Sequence, residues 1–136
     1  MKSIVKGFLR DAILKNFIAS SHDVSDGGLA VALSECCILS SKGANIQLEE
    51  KNDRIDSLLF SEGGSRIIFS LIRNEELNFL NFLKINSKEF GPNIYVKKIG
   101  LVSEENLYIT LRDKSLCNLR VDQLTEKFNN SISSCF

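Results

Sequence analysis

Residues 29–39 read Leu-Ala-Val-Ala-Leu-Ser-Glu-Cys-Cys-Ile-Leu, and only Ser34 and Glu35 interrupt the apolar run. At helical spacing this puts apolar side chains on nearly every face, so the helix must be buried on most of its surface. A segment of this kind needs covering layers on more than one side, which points to a layered architecture. It is entered through a polar, glycine-bearing loop, His22-Asp23-Val24-Ser25-Asp26-Gly27-Gly28. Ser25 or Asp26 is expected as its N-cap, since their side-chain oxygens accept from free backbone N–H groups. Gly43 is expected to end it.

The flanking sequence supplies the layers. Residues 3–18 carry Ile4, Val5, Phe8, Leu9, Ala12, Ile13 and Phe17 at intervals of three to four, which predicts an amphipathic leading helix within residues 1–18. Residues 18–21 are a short strand candidate. Residues 45–49 alternate and read as a strand, and 54–60 as a short helical turn. Residues 67–72 are apolar on both faces and read as a central strand. A helix is expected over 74–84, a turn at Gly91-Pro92-Asn93, and strands over 94–101 and 107–112. Residues 103–106 are read as the hairpin connection between those two strands. A weaker helix is expected over 119–132, with a tail from about 126 to 136. Alternating helices and strands with a late hairpin predict an α+β layered sandwich with a mixed sheet, as a single domain over 1–136.

Composition excludes several function classes. Seventeen Lys+Arg balance seventeen Asp+Glu in 136 residues, so no basic face is available for nucleic acid. No run reaches the roughly 18–20 apolar residues of a membrane span, and Lys6, Arg10, Asp11 and Lys15 interrupt any signal-peptide core. Neither nucleic acid nor membrane is expected as a partner. The cysteines Cys36, Cys37, Cys117 and Cys135 form no C-x-x-C pair and no zinc spacing. Cys36 and Cys37 read as small buried hydrophobes. Without a disulfide framework, a reducing cytoplasm is expected. There is one His and no Trp, too little for a His-based triad or a His metal cluster.

Two loops concentrate what chemistry remains. In the first, Gly27 and Gly28 would let a ligand approach the backbone, and the helix N-terminus offers N–H groups and a positive dipole end suited to phosphate. Asp23 and Asp26 oppose this, because carboxylates repel phosphate. Either a divalent cation such as Mg²⁺ bridges them, or they hold the loop through backbone hydrogen bonds. The alternative for the whole loop is a cap and a tight turn. In the second loop, Glu62 and Arg66 flank Gly63-Gly64. Arg66 can clamp a phosphate or carboxylate, or pair with Glu62 on the surface. His22 sits beside Asp23, yet a lone His at a strand end is more often a structural hydrogen-bonding residue than a base.

The run from Ser21 to Cys36, with His22-Asp23-Val24-Ser25-Asp26-Gly27-Gly28-Leu29 at its centre, resembles the signature of phosphoribosylformylglycinamidine synthases. More narrowly, it resembles their last domain, of the aminoimidazole-ribonucleotide-synthetase C-terminal type. Leu59-Phe60-Ser61-Glu62-Gly63-Gly64-Ser65-Arg66-Ile67-Ile68 resembles the family's second landmark, and Ile99-Gly100-Leu101-Val102 its late glycine-containing strand. The resemblance spans roughly residues 3–125. It implies a part of an ATP-dependent C–N ligase of purine biosynthesis that acts on formylglycinamide ribonucleotide, with glutamine as ammonia source and Mg²⁺ on the triphosphate. It implies N-terminal-type domains and a glutaminase as partners. It also implies ligand-facing roles for His22, Asp23, Ser25, Asp26, Gly27, Gly28, Glu62, Gly63, Gly64 and Arg66 toward a phosphorylated small molecule. No catalytic residue is assigned. Such enzymes are several times longer than this chain, so the chain alone is expected to be inactive and to expose an apolar face through which it can self-associate.

One departure stands out. The first C-terminal-type domain of such enzymes shows Glu-Ser-Gln engaging substrate where this chain has Glu62-Gly63-Gly64. That fits a domain walling an auxiliary nucleotide site, or closing over the active site without supplying chemistry. Two other readings stay open: a non-catalytic interaction module, and the equivalent domain of a hydrogenase-maturation or thiamine-phosphate-kinase relative.

Overall fold

Aromatic side chains at helical spacing in two distant segments build the first core. The computed structural model describes residues 2–49, 54–90 and 94–131. The chain divides into two units, 1–23 with 67–97, and 24–66 with 98–136, and each has its own buried residues.

In the first unit, α1 (Lys2–Leu14) and α4 (Glu76–Phe90) bring Phe8, Ala12, Phe79 and Phe82 together. Phe79 lies edge-on to Phe8, Phe17 and Phe69, with ring centroids 5.5–6.2 Å apart, a favoured aromatic geometry. α1 stops four residues earlier than its apolar pattern suggests. Asn16 enters the left-handed region (φ 58°), and the Phe17 N–H closes back on the Ala12 carbonyl. β1 (Ile18–Val24) pairs with β3 (Arg66–Leu71) in a two-stranded sheet. The expected central strand is therefore one of a pair, and it is half-buried throughout. Asn74 (φ 71°) sets the later start of α4, which runs on to Phe90.

The strand expected over 94–101 is not formed at 94–99. Ile94 and Val96 instead pack on the aromatic core, so their alternation reflects packing without pairing. The turn expected at Gly91-Pro92-Asn93 lies outside the described residues.

The second unit is built on a four-stranded sheet of order β4-β2-β5-β6. These strands are β2 (Gly43–Leu48), β4 (Gly100–Ser103), β5 (Asn106–Leu111) and β6 (Lys114–Arg120). β2 pairs parallel with β5, whereas β2–β4 and β5–β6 are antiparallel. The sheet is mixed, as expected. Ile46, Leu48, Leu107, Ile109 and Leu111 are buried along one face, and their registers confirm that they share it.

The hairpin differs from expectation. Residues 103–106 do not join two paired neighbours, since β4 and β5 lie on opposite sides of β2. The hairpin is β5–β6, turning at Arg112 in the left-handed region (φ 52°). β6 escapes a reading by alternation because it is an edge strand whose partner register shifts at Ile109/Thr110.

The apolar helix is α2 (Gly28–Ser40), against α3 (Ile55–Phe60) and α5 (Val121–Asn130). Gly28, Ala32, Leu33 and Cys37 are buried, but Leu39 is 80% exposed, so α2 is less enclosed than its sequence predicts. Its N-cap is Gly27, with no side-chain cap from Ser25 or Asp26. Its C-cap is Ser41 (φ 54°), whose N–H reaches Cys37 and Ile38 carbonyls. Gly43 therefore does not stop the helix. It opens β2, where a Cβ would come 2.3 Å from the Asn106 carbonyl oxygen. α5 covers 121–130, so the expected tail is helical up to Asn130, and 132–136 lie outside the described residues. No helix among the described residues is long and apolar enough to cross a membrane.

Candidate functional site

The two glycine loops meet in the second unit. α2 needs acceptors for the N–H groups of its first turn, which have no intrahelical partner. The N-cap residue just before that turn is served from far along the chain: Gly27 N–H donates to Glu62 Oε1 at 3.0 Å. The carboxylate thus stands at the positive end of α2, where an external anion would otherwise be stabilised. The turn itself closes through Gly28 N–H to the Ser25 carbonyl at 3.2 Å.

Both glycines are required by geometry. Gly27 and Gly28 have φ of 76° and 72°, conformations that side chains disfavour. A Cβ on Gly28 would lie 2.7–2.8 Å from the Phe60 and Leu59 backbone, and one on Gly27 would lie 2.5 Å from Val31 Cγ2. The start of α2 is therefore pressed on the end of α3. Gly63 and Gly64 differ: a Cβ on either meets nothing within 4 Å.

Arg66 does not pair with Glu62. Its Nη2 donates to the Ser61 carbonyl, and it lies 3.5 Å from Ser61 Oγ. Arg66 Nε is buried with no partner. The guanidinium is folded back onto its own loop. Ser25 and Asp26 are exposed.

In the first unit, Asp23 is exposed at the end of β1. His22 Nδ1 lies 2.7 Å from the Asp23 carbonyl oxygen. A carbonyl only accepts, so Nδ1 is the donor in this hydrogen bond. No group of three or more His, Cys, Asp or Glu side chains among the described residues could hold a metal.

An open hollow of about 700 Å³, lined by Ile55, Leu111, Arg112, Asp113 and Lys114, contains none of the expected site residues. Cys36, Cys37 and Cys117 are free thiols. Burial pushes the Cys37 thiol up to about 11 and raises Cys36 and Cys117 as well, which disfavours the reactive thiolate form. Phe60, part of the second landmark, is 57% exposed beside the Gly28 turn.

Residues 5–109 match the family model described as AIR synthase related protein, C-terminal domain. The chain belongs to this family. Among curated proteins it is 79% identical over 131 residues to the phosphoribosylformylglycinamidine synthase subunit PurL of Prochlorococcus marinus subsp. pastoris. It is 38% identical over 133 residues to the PurL of P. marinus strain MIT 9313. These matches cover 96–97% of this chain but 17% of each relative, so the chain spans about a sixth of their length. Among solved structures, T. maritima PurL complexed with ATP superposes with a TM-score of 0.71 at 20% identity, over 90% of this chain and 21% of that one. T. maritima PurL complexed with FGAR gives 0.66 at 20% identity, over 90% and 20%. At that identity the structural likeness shows the fold. This AIR-synthase-related domain therefore has the α+β fold that its sequence predicts.

Proposed function

We propose that this domain is part of a phosphoribosylformylglycinamidine synthase, which converts formylglycinamide ribonucleotide, glutamine and ATP to formylglycinamidine ribonucleotide in cytoplasmic purine biosynthesis. The observation that carries this reading is the 79% identity to a PurL subunit across 96% of the chain. Its partners in this reading are the N-terminal-type domains of the same enzyme and a glutaminase.

ATP with Mg²⁺ supplies the activating phosphoryl group in the proposed full enzyme. The residues of this domain do not by themselves fit the metal, because no cluster of ligands is present among those described. Nor does Gly27 offer a vacant amide for a phosphate, since the Glu62 carboxylate accepts its N–H. The contribution we assign to the domain is to shape and close a ligand-facing wall. Ser25, Asp26, Gly27 and Gly28 form a turn closed by Gly28 N–H on the Ser25 carbonyl and tied to Glu62 through Gly27 N–H, while Gly63, Gly64 and Arg66 form the adjoining loop. The same hydrogen bond favours a cap-and-turn role for these loops over direct phosphate capture.

The test is a chimera. The corresponding segment of the 79%-identical PurL is replaced by this chain, and amidine formation is measured with substrate, ATP, Mg²⁺ and glutamine or ammonia. Activity near that of the parent is expected, with no turnover by the 136-residue chain alone. A folded but inactive chimera would overturn the assignment. Turnover by the isolated chain would overturn the view that the catalytic groups lie elsewhere.

A further inference from the structure

β4 ends the four-stranded sheet, and its only strand neighbour among the described residues is β2. Gln47 N–H donates to the Ile99 carbonyl at 2.7 Å, and the register continues through Asn45↔Leu101 and Gly43↔Ser103. Backbone groups alternate in direction along an antiparallel ladder. Residues 99, 101 and 103 thus face β2, and Gly100 and Val102 turn their N–H and C=O groups outward.

This edge lacks the usual protections. Gly100-Leu101-Val102-Ser103 contains no charge and no proline, and Leu101 and Val102 are each 63% exposed. Such an edge is a template for another strand.

The flanking charges select the strand. Lys97-Lys98 precedes β4 and Glu104-Glu105 follows it. If β4 pairs antiparallel with a copy of itself about a twofold axis at Leu101, the order of the sequence beyond the two ends of the strand sets Lys98 toward Glu104 and Lys97 toward Glu105. The same register sets Gly100 opposite Val102, which are the residues with outward backbone groups. The order of the flanking charges and the backbone direction within β4 favour the same antiparallel alignment.

Gly100 adds a steric fit. A Cβ there would lie 2.0 Å from the Asn45 carbonyl oxygen, so the position stays small and leaves room for the Val102 opposite. Glu104 meets Lys42 of its own chain at 3.4 Å, but its side chain is 86% exposed, so it remains within reach of a second copy.

We propose that β4 is a self-complementary docking edge, and that a second copy of this chain pairs with it antiparallel about Leu101. A closed twofold contact of this kind uses the same patch on both partners. The test is sedimentation of the 136-residue chain across protein and salt concentration, with circular dichroism as a check on folding. Self-association that weakens with salt is expected. K98E and E104K should each weaken it by about tenfold or more, because like charges then face each other twice per dimer. K98E/E104K should restore self-association, and the two single variants mixed should associate with each other. Leu101→Lys should abolish pairing without unfolding the sheet.

A chain that stays monomeric at every concentration overturns the proposal and leaves the edge to another segment of a longer polypeptide. Association indifferent to the single reversals, or not recovered by the double reversal, overturns this register.

Discussion

Gly27 N–H donates to Glu62 Oε1 at 3.0 Å, across 35 residues of sequence. This one hydrogen bond joins two loops that each look like a ligand site when read alone. It serves the N–H of the N-cap residue itself, whereas neither Ser25 nor Asp26 supplies a side-chain cap.

Removing that acceptor tests its weight. Glu62→Ala leaves the N–H of Gly27, the N-cap residue of α2, without its partner, and loss of a capping hydrogen bond costs about 1 kcal/mol. Urea unfolding should show this loss, and Glu62→Gln, which keeps an acceptor oxygen, should lose less. Equal stability of wild type and Glu62→Ala would refute the capping role.

Three of the four loop glycines should rank by geometry. Gly28→Ala combines a left-handed φ with a backbone clash at 2.7 Å and should cost about 3 kcal/mol or more. Gly64→Ala has the left-handed φ (87°) but open space, and should cost about 1–2 kcal/mol. Gly63→Ala has neither burden and should stay within about 0.5 kcal/mol of wild type. Denaturation midpoints for the series check the order, and a costly Gly63→Ala would break it.

The same loops show what the sequence could reveal. Periodicity located α1, α2 and the strand alternation of β2 and β5, because those residues face a core whose period they follow. It failed where apolar residues serve another purpose. Ile94 and Val96 alternate but pack against Phe79 and its neighbours without pairing. β6 pairs but shows no clean alternation, since it lies at an edge beside a register shift. The glycine loops were legible as special backbone. Their union through Glu62 was not, because no local pattern records a hydrogen bond 35 residues long.

The aromatic core of the first unit predicts a large loss at Phe79. Its ring meets Phe8, Phe17, Phe69 and Phe82 at 5.5–6.4 Å, and it is 3% exposed. Phe79→Ala removes a buried aromatic and leaves a cavity, at a cost of about 3–5 kcal/mol. Leu77→Ala, on the same helix but 75% exposed, should change stability little. Thermal or urea unfolding of the pair separates burial from helix propensity, and similar losses at both positions would contradict the core assignment.

Cys37 sets an alkaline limit. Its thiol is pushed up to about 11 by burial, with smaller contributions from Cys36 and Cys117, against 9.0 for the free group. The folded state therefore holds the proton more tightly than the unfolded state. Stability from this group is complete below pH 9 and is lost as pH rises from 9 toward 11. Urea midpoints should fall across that window, and Cys37→Ala or Cys37→Ser should flatten the fall. Thiolate is the reactive form, so alkylation of native Cys37 should be slow at pH 8 and rise steeply only where the fold loosens. Rapid labelling of Cys37 in the folded protein at pH 8, read by peptide mass, would show that the thiol is neither buried nor raised.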